Sequence, residues 1–498
     1  MLSPESRCAG VKELIDQKHF FVIHAPRQSG KTTLLNSLEK EINEAGRYCA
    51  LYCSLESVQG INEAAEGIPE VIACLQLSIR YHPVLKKLPA TSGASLAHST
   101  MLTEFLAELS AKSTLPLILF FDEADCLGGT TLISFLRQLR NGYVNRIRMP
   151  FPHSLALIGM RNIRDYRLEI RPDSQTLGSA SPFNIAKESL TLRNFSREEI
   201  ATLYQQHTDE TGQIFPDDLT HYVSEMTQGQ PWLVNAIAAE IVEKICRNDF
   251  QKPLTIAMAE ESIQNIILRR DTHIDSLLER LREQRVQKII EPVLLGEGES
   301  LERLSNDYQF VRDLGLIRND RGVIRIANPI YNEVISRTLN FDVQENLSVG
   351  LVNRWMDDES IDISGLLKGF QEFWREHSEI WRERFQYKEA APHLILLAFL
   401  QRVVNGGARI DREYATGTRR VDICVTYKGK KYPLELKLVR SEKTRAEGLN
   451  QLSGYMEMLG SREGWLLLFN LKTTVSWEQR LYAETVEQEG RIIHIFGA

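Results

Sequence analysis

The chain has 498 residues, of which 43% are hydrophobic and 25% are charged, and at about 150 residues per domain this length indicates roughly three to four globular domains. Its 66 acidic residues outnumber its 59 basic residues and give a formal net charge of -7. This balance excludes a histone-like protein that coats nucleic acid through bulk positive charge, but it allows a local basic cleft. The seven scattered cysteines favour reduced thiols over a disulfide or zinc framework. No apolar run has the length of a membrane span and the start has no signal-peptide pattern, so we expect a soluble, cytoplasmic protein with no membrane partner.

The first 160 residues alternate apolar strands with amphipathic helices. A helix is predicted over residues 32–45, with Gly46 where a C-terminal cap belongs. Strands are predicted at residues 19–24, 48–53, 117–121 and 155–158. Such alternation predicts a parallel sheet covered by helices on both faces.

From about residue 185 the pattern becomes helical without strong strand signals. Ser196 to Glu199 matches a capping box that opens a helix. Residues 301–339 are typical of a winged helix, with a helix at 301–314 and short strands at 316–318 and 323–326. After a polar linker and further helices, strands are predicted at 420–427, 431–438 and 465–469, with a helix at 445–459.

Residues 25–33 (APRQSGKTT) match a phosphate-binding loop, except that Ala25 replaces the first glycine. In such a loop the backbone N–H groups wrap the phosphates and the following helix directs its positive end at them. Gly30 allows close approach, Lys31 reaches the outer phosphates, and the Thr32 hydroxyl can bind Mg²⁺. The predicted nucleotide-binding residues of this segment are Ala25, Pro26, Arg27, Gln28, Ser29, Gly30, Lys31, Thr32 and Thr33.

Two acidic residues follow the buried strand at 117–121. Asp122 is placed to hold Mg²⁺ through water, and Glu123 to polarise an attacking water. A solvated helix start is the alternative interpretation of this acid pair. Arg161 ends another predicted strand and is a candidate contact for the terminal phosphate; the alternative is a surface arginine or one that packs against a lid.

Residues 11 to about 340 resemble prokaryotic AAA-like ATPases related to the STAND class of signalling NTPases. The resemblance implies a phosphate-loop core, a helical lid and a winged helix, and it implies the same roles for Lys31, Thr32, Asp122, Glu123 and Arg161. The matching stretches include HAPRQSGKTTLL, LFFDEAD, LIGMRNIRDYR, TQGQPWLVNA, VRDLGLI and IANPIYNEVISR.

A second group of polar residues lies on the predicted strands near the C-terminus. Asp422 lies on one strand, and Glu435 and Lys437, two residues apart, point to one face of the next. Two acids can chelate Mg²⁺ or Mn²⁺, and a lysine can orient water or stabilise charge at an attacked phosphate. The alternative is an amphipathic hairpin with a cross-strand ion pair.

The order of Asp422 and the E-x-K triplet resembles the PD-(D/E)XK nuclease superfamily, over roughly residues 389–470. The resemblance implies that Glu389 is the helical acid of a metal site with Asp422 and Glu435, and that Gln451 lies near it with Lys437. Basic residues around the site fit a phosphate-backbone track, or else a hairpin edge protected by lysines; they are Arg419, Arg420, Lys428, Lys430, Lys431, Arg440, Lys443 and Arg445.

Together these patterns predict an α/β multidomain protein: a P-loop parallel sheet with helical lid and winged helix, then a smaller α/β restriction-endonuclease-like domain. The predicted boundaries are an ATPase core at 1–175, a lid at 176–275, a winged helix at 276–340, a helical linker at 341–385 and a nuclease-like domain at 386–498. The leading hypothesis is an ATP-regulated, Mg²⁺- or Mn²⁺-dependent nuclease that acts on nucleic acid, with DNA as the favoured substrate. Analogy with similar proteins suggests a role in mobile-element or anti-phage biology.

Two alternatives remain. One is a nucleotide-switched scaffold whose nuclease-like domain grips nucleic acid without cutting. The other is an ATP-driven remodeller working as a homo-oligomer, for which the candidate arginine fingers are Arg137, Arg140, Arg146 and Arg148.

Overall fold

A computed structural model describes most of the chain. The described residues are 4–88, 97–160, 186–269, 272–294, 301–303, 305–335, 355, 359–384, 391–403, 409–416, 419–472 and 475–498. The chain divides into two compact units: the first is drawn from Met1–Leu277, Glu302–Arg318 and Ala327–Ile330, and the second from Leu278–Leu301, Asn319–Ile326 and Tyr331–Ala498.

The first unit is built on a five-stranded sheet. Its strands are β1 (Phe20–His24), β2 (Cys49–Ser54), β3 (Leu117–Asp122), β4 (Ser154–Gly159) and β5 (Ala186–Thr191). Their order is β2-β3-β4-β1-β5, and every neighbouring pair is parallel. Because all strands are parallel, the strand ends that carry polar side chains lie along one edge of the sheet, as the sequence predicts for the nucleotide site.

The sheet is buried on both faces. Along β1, Phe20 and Val22 belong to one apolar cluster, whereas Phe21 and Ile23 belong to the other. Successive side chains of a strand point to opposite faces, so an unbroken apolar run fills two cores at once. This confirms the prediction of a parallel sheet between helical layers.

Helices cover this sheet and continue beyond it. Those preceding β5 are α1 (Val11–Asp16), α2 (Lys31–Ala45), α3 (Ala64–Tyr81), α4 (Met101–Lys112) and α5 (Gly129–Asn145). Short 3₁₀ turns lie at Pro4–Arg7, Glu56–Val58, Leu85–Lys87 and Ala124–Cys126. Gly46 ends α2 in the left-handed region, at φ 66°, and its N–H bonds the carbonyl of Asn43, as the sequence predicts.

Residues after β5 are mainly helical. The helices are α6 (Arg197–Thr211), α7 (Asp217–Thr227), α8 (Pro231–Ala239), α9 (Ile256–Arg269), α10 (Thr272–Arg280), α11 (Gln284–Leu294) and α12 (Asn306–Asp313), with a π-helical turn at Glu240–Ile245. The predicted capping box at Ser196 and Glu199 is present, with both reciprocal hydrogen bonds formed. Strands β6 (Ile317–Asp320) and β7 (Val323–Ile326) form a separate two-stranded sheet. The winged-helix assignment of this segment stays a prediction.

Strand β5 is not among the predicted strands, because the residues from about 185 carry no strong strand signal. Among the described strands, β5 lies at the edge of the sheet and pairs with β1, and most of its side chains are exposed. It therefore lacks the apolar run from which strands β1 and β3 were predicted.

The second unit contains a six-stranded mixed sheet in the order β12-β13-β11-β10-β9-β8. Its strands are β8 (Arg409–Thr416), β9 (Arg419–Tyr427), β10 (Lys430–Leu438), β11 (Glu463–Phe469), β12 (Tyr482–Gln488) and β13 (Arg491–Gly497). Besides α11, the unit contains α13 (Ile363–Arg384), α14 (Ala391–Val403), α15 (Thr444–Leu459) and α16 (Trp477–Arg480). Strands β8, β9 and β10 form an antiparallel meander, and α15 crosses over to β11, which runs parallel to β10. The smaller α/β domain is thereby confirmed.

Among the helices in the described ranges, none combines the length and apolar character needed to cross a membrane.

Candidate functional site

The phosphate loop connects β1 to α2. Gly30, just before α2, has φ 91°, and Gln28 has φ 55°. Glycine adopts such angles at little cost, whereas a side chain there is strained, so the loop favours glycine at position 30. Of the predicted loop residues, Ala25 and Ser29 are buried, Pro26 and Gly30 are half-buried, and Arg27, Gln28, Thr32 and Thr33 are exposed.

Lys31 is a buried cation at the start of α2. Its Nζ donates hydrogen bonds to the carbonyl oxygens of Ala25 at 3.1 Å and Pro26 at 3.0 Å. Burial lowers the pKa of Lys31, and the nearby carboxylates of Glu123, Asp125 and Asp122 oppose that shift. A desolvated lysine held by its own loop matches the predicted phosphate-binding role. A phosphate bound there would supply the negative charge that compensates the buried ammonium group.

Asp122, the last residue of β3, joins three elements through its buried carboxylate. The Thr32 hydroxyl donates to Oδ2 at 2.8 Å and the Tyr52 hydroxyl donates to the same oxygen at 3.1 Å. The N–H of Glu123 donates to Oδ1 at 3.0 Å. A hydroxyl and a carboxylate in contact are hard oxygen donors of the kind Mg²⁺ prefers, so these residues fit the predicted ion.

Glu123 follows directly, in the left-handed region at φ 55°. The pKa of Glu123 is raised, because burial and the charges of Asp125 and Asp122 outweigh the opposite effect of Lys31 and Arg27. The next acid, Asp125, accepts a hydrogen bond from the Met160 N–H at 3.4 Å, so it links β3 to the end of β4. Arg161, the predicted phosphate sensor, lies outside the described residues.

Sequence reasoning missed two residues that support the loop. The buried guanidinium of Arg7 donates to the Ser29 carbonyl at 2.7 Å and the Arg193 carbonyl at 2.8 Å. His24, the buried last residue of β1, contacts the hydroxyls of Ser189 and Thr191 at 3.0 Å and 3.2 Å. Each of the two residues also contacts a segment more than 160 residues away along the chain, and no local pattern signals these roles.

The second predicted site lies on β9 and β10. Leu434 of β10 pairs with Ile423 of β9, and Glu435 and Asp422 are the next residues along these antiparallel strands. Glu435 is 1% exposed, and its Oε1 lies 2.8 Å from the Lys437 Nζ. The carboxylate of Asp422 accepts the N–H of Leu436 at 2.8 Å. The strands therefore bring Asp422, Glu435 and Lys437 together, as predicted.

The hydrogen bonds of Glu435 do not fully compensate the burial of its carboxylate. Among the described residues, its Oε2 has no hydrogen-bond partner. Burial and the charge of Asp422 raise the pKa of Glu435 to about 8, against the opposite effect of Lys437. An orphaned carboxylate oxygen beside a second acid is the donor chemistry of Mg²⁺ or Mn²⁺, so the two acids fit such an ion.

The other predicted ligands of this site are not brought to it by the described contacts. In the ranges that the structure describes, no cluster of three or more His, Cys, Asp or Glu side chains suits a metal. Glu389 lies outside those ranges. Gln451, on α15, is exposed. The same helix approaches the acid-bearing face at Gly448, where an added Cβ would lie 3.4 Å from the Lys437 Cγ.

Comparisons with known proteins match two successive parts of the chain. A domain of unknown function matches residues 367–473. A search of curated proteins found no match. Among solved structures, the Walker-type ATPase of Pyrococcus abyssi is 16% identical, over 67% of this chain and 94% of its own, with a TM-score of 0.47. The RuvB Holliday junction branch migration motor of Thermotoga maritima is 12% identical over 65% of this chain and 91% of its own, with a TM-score of 0.33.

A third structure, Cdc6p of Pyrobaculum aerophilum, is 13% identical over 66% of this chain and 91% of its own, with a TM-score of 0.36. A family model described as an AAA-like domain matches residues 4–337, which is more than half of the chain and includes the phosphate loop and both acids that follow β3. The chain therefore belongs to the family of AAA-like domain proteins.

Proposed function

We propose that the first unit binds and hydrolyses ATP with Mg²⁺. The observation that carries this proposal is the contact of the Thr32 hydroxyl with the buried Asp122 carboxylate at 2.8 Å, next to the desolvated Lys31. A bound Mg²⁺ would supply charge neutralisation for the phosphates. Lys31 would bind the outer phosphates, Thr32 and Asp122 would hold the ion, and Glu123 would accept the proton of the attacking water.

The test measures binding of a fluorescent ATP analogue and phosphate release. Lys31→Ala should reduce affinity at least 100-fold, because the phosphates lose their buried partner charge. Glu123→Gln should keep affinity within about threefold and slow hydrolysis at least 10-fold, since only the polarising carboxylate is lost. The matched control is Lys40→Ala, an exposed lysine of the same helix paired with Glu44. Equal turnover by the wild type, Lys31→Ala and Glu123→Gln would contradict the proposal.

We further propose that the second unit cuts nucleic acid with Mg²⁺ or Mn²⁺. The observation that favours this is the orphaned, buried Oε2 of Glu435 beside Asp422 and Lys437. A buried charged cluster with an unsatisfied oxygen is costly in free energy, and a metal ion would remove that cost. Lys437 would stabilise charge at the attacked phosphate. The meander β8–β10, crossover helix α15 and parallel β11 are consistent with a restriction-endonuclease-like domain.

Exposed lysines and arginines flank this cluster along the chain. Lys428, Lys430, Lys431, Arg440 and Lys443 are exposed. In a chain of net negative charge they offer a local track for a phosphate backbone. A scaffold that grips nucleic acid without cutting would use the same track, so binding alone does not distinguish the two functions.

Cleavage distinguishes them. Single- and double-stranded DNA and RNA are incubated with Mg²⁺ or Mn²⁺, with and without ATP. Glu435→Gln and Lys437→Ala should each remove cleavage, and Glu435→Gln alone should also weaken metal binding measured by calorimetry. The controls are Glu463→Gln on β11 and Lys368→Ala on α13, two exposed residues outside the acidic cluster and the basic track. Cleavage by Glu435→Gln at the wild-type rate would exclude this site, and binding without cleavage by the wild type would support the scaffold.

The homo-oligomeric remodeller has less support. Of its candidate fingers, Arg146 donates to the Lys18 carbonyl at 2.8 Å and stacks over Tyr143 at 3.9 Å. Its guanidinium is therefore engaged within its own chain. Oligomerisation stays a prediction from the sequence.

A further inference from the structure

The segment just after α12 packs directly on the phosphate loop. Gly315 has φ 75°, and a Cβ added there would lie 2.4 Å from the Pro26 Cγ and 2.9 Å from the Pro26 Cβ. Carbon atoms do not approach so closely, so only a glycine allows this contact. Position 315 therefore has two separate requirements for glycine, one from its backbone angle and one from Pro26.

The end of α12 makes a second contact two residues earlier. The Asp313 Oδ1 lies 3.7 Å from the Nε2 of His24, and both side chains are buried. The Arg312 Nη2 lies 3.2 Å from the same Oδ1. Although burial raises the pKa of Asp313, the contacts with His24 and Arg312 outweigh it and hold the pKa below its ordinary value. Asp313 is thus a carboxylate fixed against the residue that precedes the loop.

These contacts reach the part of the loop that holds Lys31. Asp313 contacts His24, Gly315 contacts Pro26, and the carbonyls of Ala25 and Pro26 accept the hydrogen bonds of the Lys31 Nζ. A displacement at either contact would move the acceptors of that lysine. A misplacement of about 1 Å that originates far from the reacting atoms can cost roughly 100-fold in rate.

We propose that Asp313 and Gly315 are positioning residues of the nucleotide site, which set its affinity for phosphate groups by holding residues 24–26 and do not touch the nucleotide. This inference rests on the proposed ATPase function and adds to it a segment more than 280 residues away in sequence. Through the same contacts, a change in the loop on nucleotide binding would displace α12 and the residues that follow it to 316.

The first experiment compares two glycine variants. Gly212, at the end of α6, has φ 78° and open space around its Cβ position. Gly212→Ala and Gly315→Ala therefore carry the same backbone strain, but only Gly315→Ala clashes with Pro26. With the fluorescent ATP and ADP analogues, Gly315→Ala should lose at least 10-fold in affinity, and Gly212→Ala less than twofold. Gly315→Ala should lower the melting temperature more than Gly212→Ala, because it adds the clash with Pro26 to the backbone strain.

A rescue ties the effect to the contact. Pro26→Ala removes the Cγ that a Cβ at position 315 would meet. The affinity lost on adding Gly315→Ala should therefore be at least threefold smaller in the Pro26→Ala background than in the wild type. Equal losses in both backgrounds would overturn the role of this contact.

The second experiment replaces a charge without changing shape. Asp313→Asn should raise KM for ATP at least fivefold and leave kcat within twofold, because Glu123 and Lys31 are intact. Asp217→Asn, which breaks an exposed ion pair with Arg197, is the control. A role in stability alone would change melting temperature without this split between KM and kcat.

The outcomes separate this inference from the function on which it rests. If the wild type binds no nucleotide, the proposed function fails and the inference falls with it. If the wild type binds but Gly315→Ala and Asp313→Asn bind as tightly as their controls, the inference is overturned and the function stands. If Gly315→Ala does not fold, Asp313→Asn decides: a KM for ATP equal to that of Asp217→Asn would overturn the inference.

Discussion

At the residue scale, the buried carboxylate of Asp122 decides how the nucleotide site is organised. It accepts hydrogen bonds from Thr32 and Tyr52, which follow β1 and lie on β2. Both donors bond the same oxygen, Oδ2, and together they satisfy the acceptor capacity that burial removes from water. Tyr52 was not predicted, because a tyrosine within an apolar strand carries no motif. Its role appears only once β2 lies beside β3.

Tyr52→Phe should therefore be costly. It removes one donor to a buried carboxylate, for which we expect a loss of about 1.5–3 kcal/mol in the free energy of unfolding. Tyr48→Phe is the matched control, because its hydroxyl donates to the exposed carboxylate of Asp16 at 2.7 Å, and it should cost under about 1 kcal/mol. Urea denaturation measures both, and equal losses would contradict the structural role of Asp122.

At the scale of single elements, the start of α6 shows how a cap can carry a pH dependence. Glu199 accepts hydrogen bonds from Arg193 at 2.7 Å and 2.8 Å and from the Ser196 N–H at 2.8 Å. Hydrogen bonding from Arg193 lowers the pKa of Glu199 to about 2, against the opposite effect of burial. Its carboxylate form is therefore stabilised by folding.

Glu199→Gln should destabilise the protein at neutral pH and much less in acid. Because the folded pKa lies below the unfolded one, the stabilisation is complete above about pH 4.5 and disappears as the pH falls towards 2. We expect a difference of roughly 1–2 kcal/mol at pH 7, allowing for solvent screening of the pair, and a smaller one at pH 3. Arg193→Met should cause the same loss in the free energy of unfolding at pH 7. The double variant should lose no more than either single variant. A difference independent of pH would contradict this linkage.

Helices α3 and α5 pack through a glycine. A Cβ added at Gly67 would lie 2.3 Å from the Oγ1 of the buried Thr131. Alanine favours a helix by about 1 kcal/mol over glycine, yet Gly67→Ala should destabilise the protein by about 1–3 kcal/mol through overpacking. In a Thr131→Ala background the loss should shrink. Urea denaturation of the wild type, the two single variants and the double variant measures this loss. A Gly67→Ala variant more stable than the wild type would show that α3 and α5 move apart without cost.

At the scale of the whole molecule, one chain carries two sites that we propose for phosphate chemistry. The sites lie in separate units, and two tethered sites need not communicate. Communication requires that ATP favour one arrangement of the chain over another, by a few kcal/mol for a nearly complete shift.

We predict that nucleotide state sets the rate of nucleic-acid cleavage. Cleavage is measured for the wild type and Lys31→Ala with ATP, ADP and no nucleotide, at fixed free Mg²⁺. The wild-type rate should change at least fivefold between nucleotide states, whereas Lys31→Ala should show one rate throughout. Six equal rates would refute coupling and leave both sites intact as proposals.

The sequence by itself determined the features that depend on neighbouring residues. The C-terminal cap at Gly46 and the capping box at Ser196 follow from local backbone chemistry. The position of Asp122 at the end of a buried strand follows from an apolar run. The pairing of Glu435 with Lys437 on one face follows from the two-residue period of a strand.

Only the tertiary structure decided which of these local elements meet. That β4 lies between β1 and β3, that the exposed strand β5 completes the sheet, and that Arg7 and Asp313 support the phosphate loop are all consequences of packing. Contacts across hundreds of residues are selected by the shape and polarity of the assembled surfaces, and a buried arginine or aspartate carries no periodic signal. Local chemistry could thus place the reactive residues along the chain, whereas the groups that hold them in position became identifiable only in the fold.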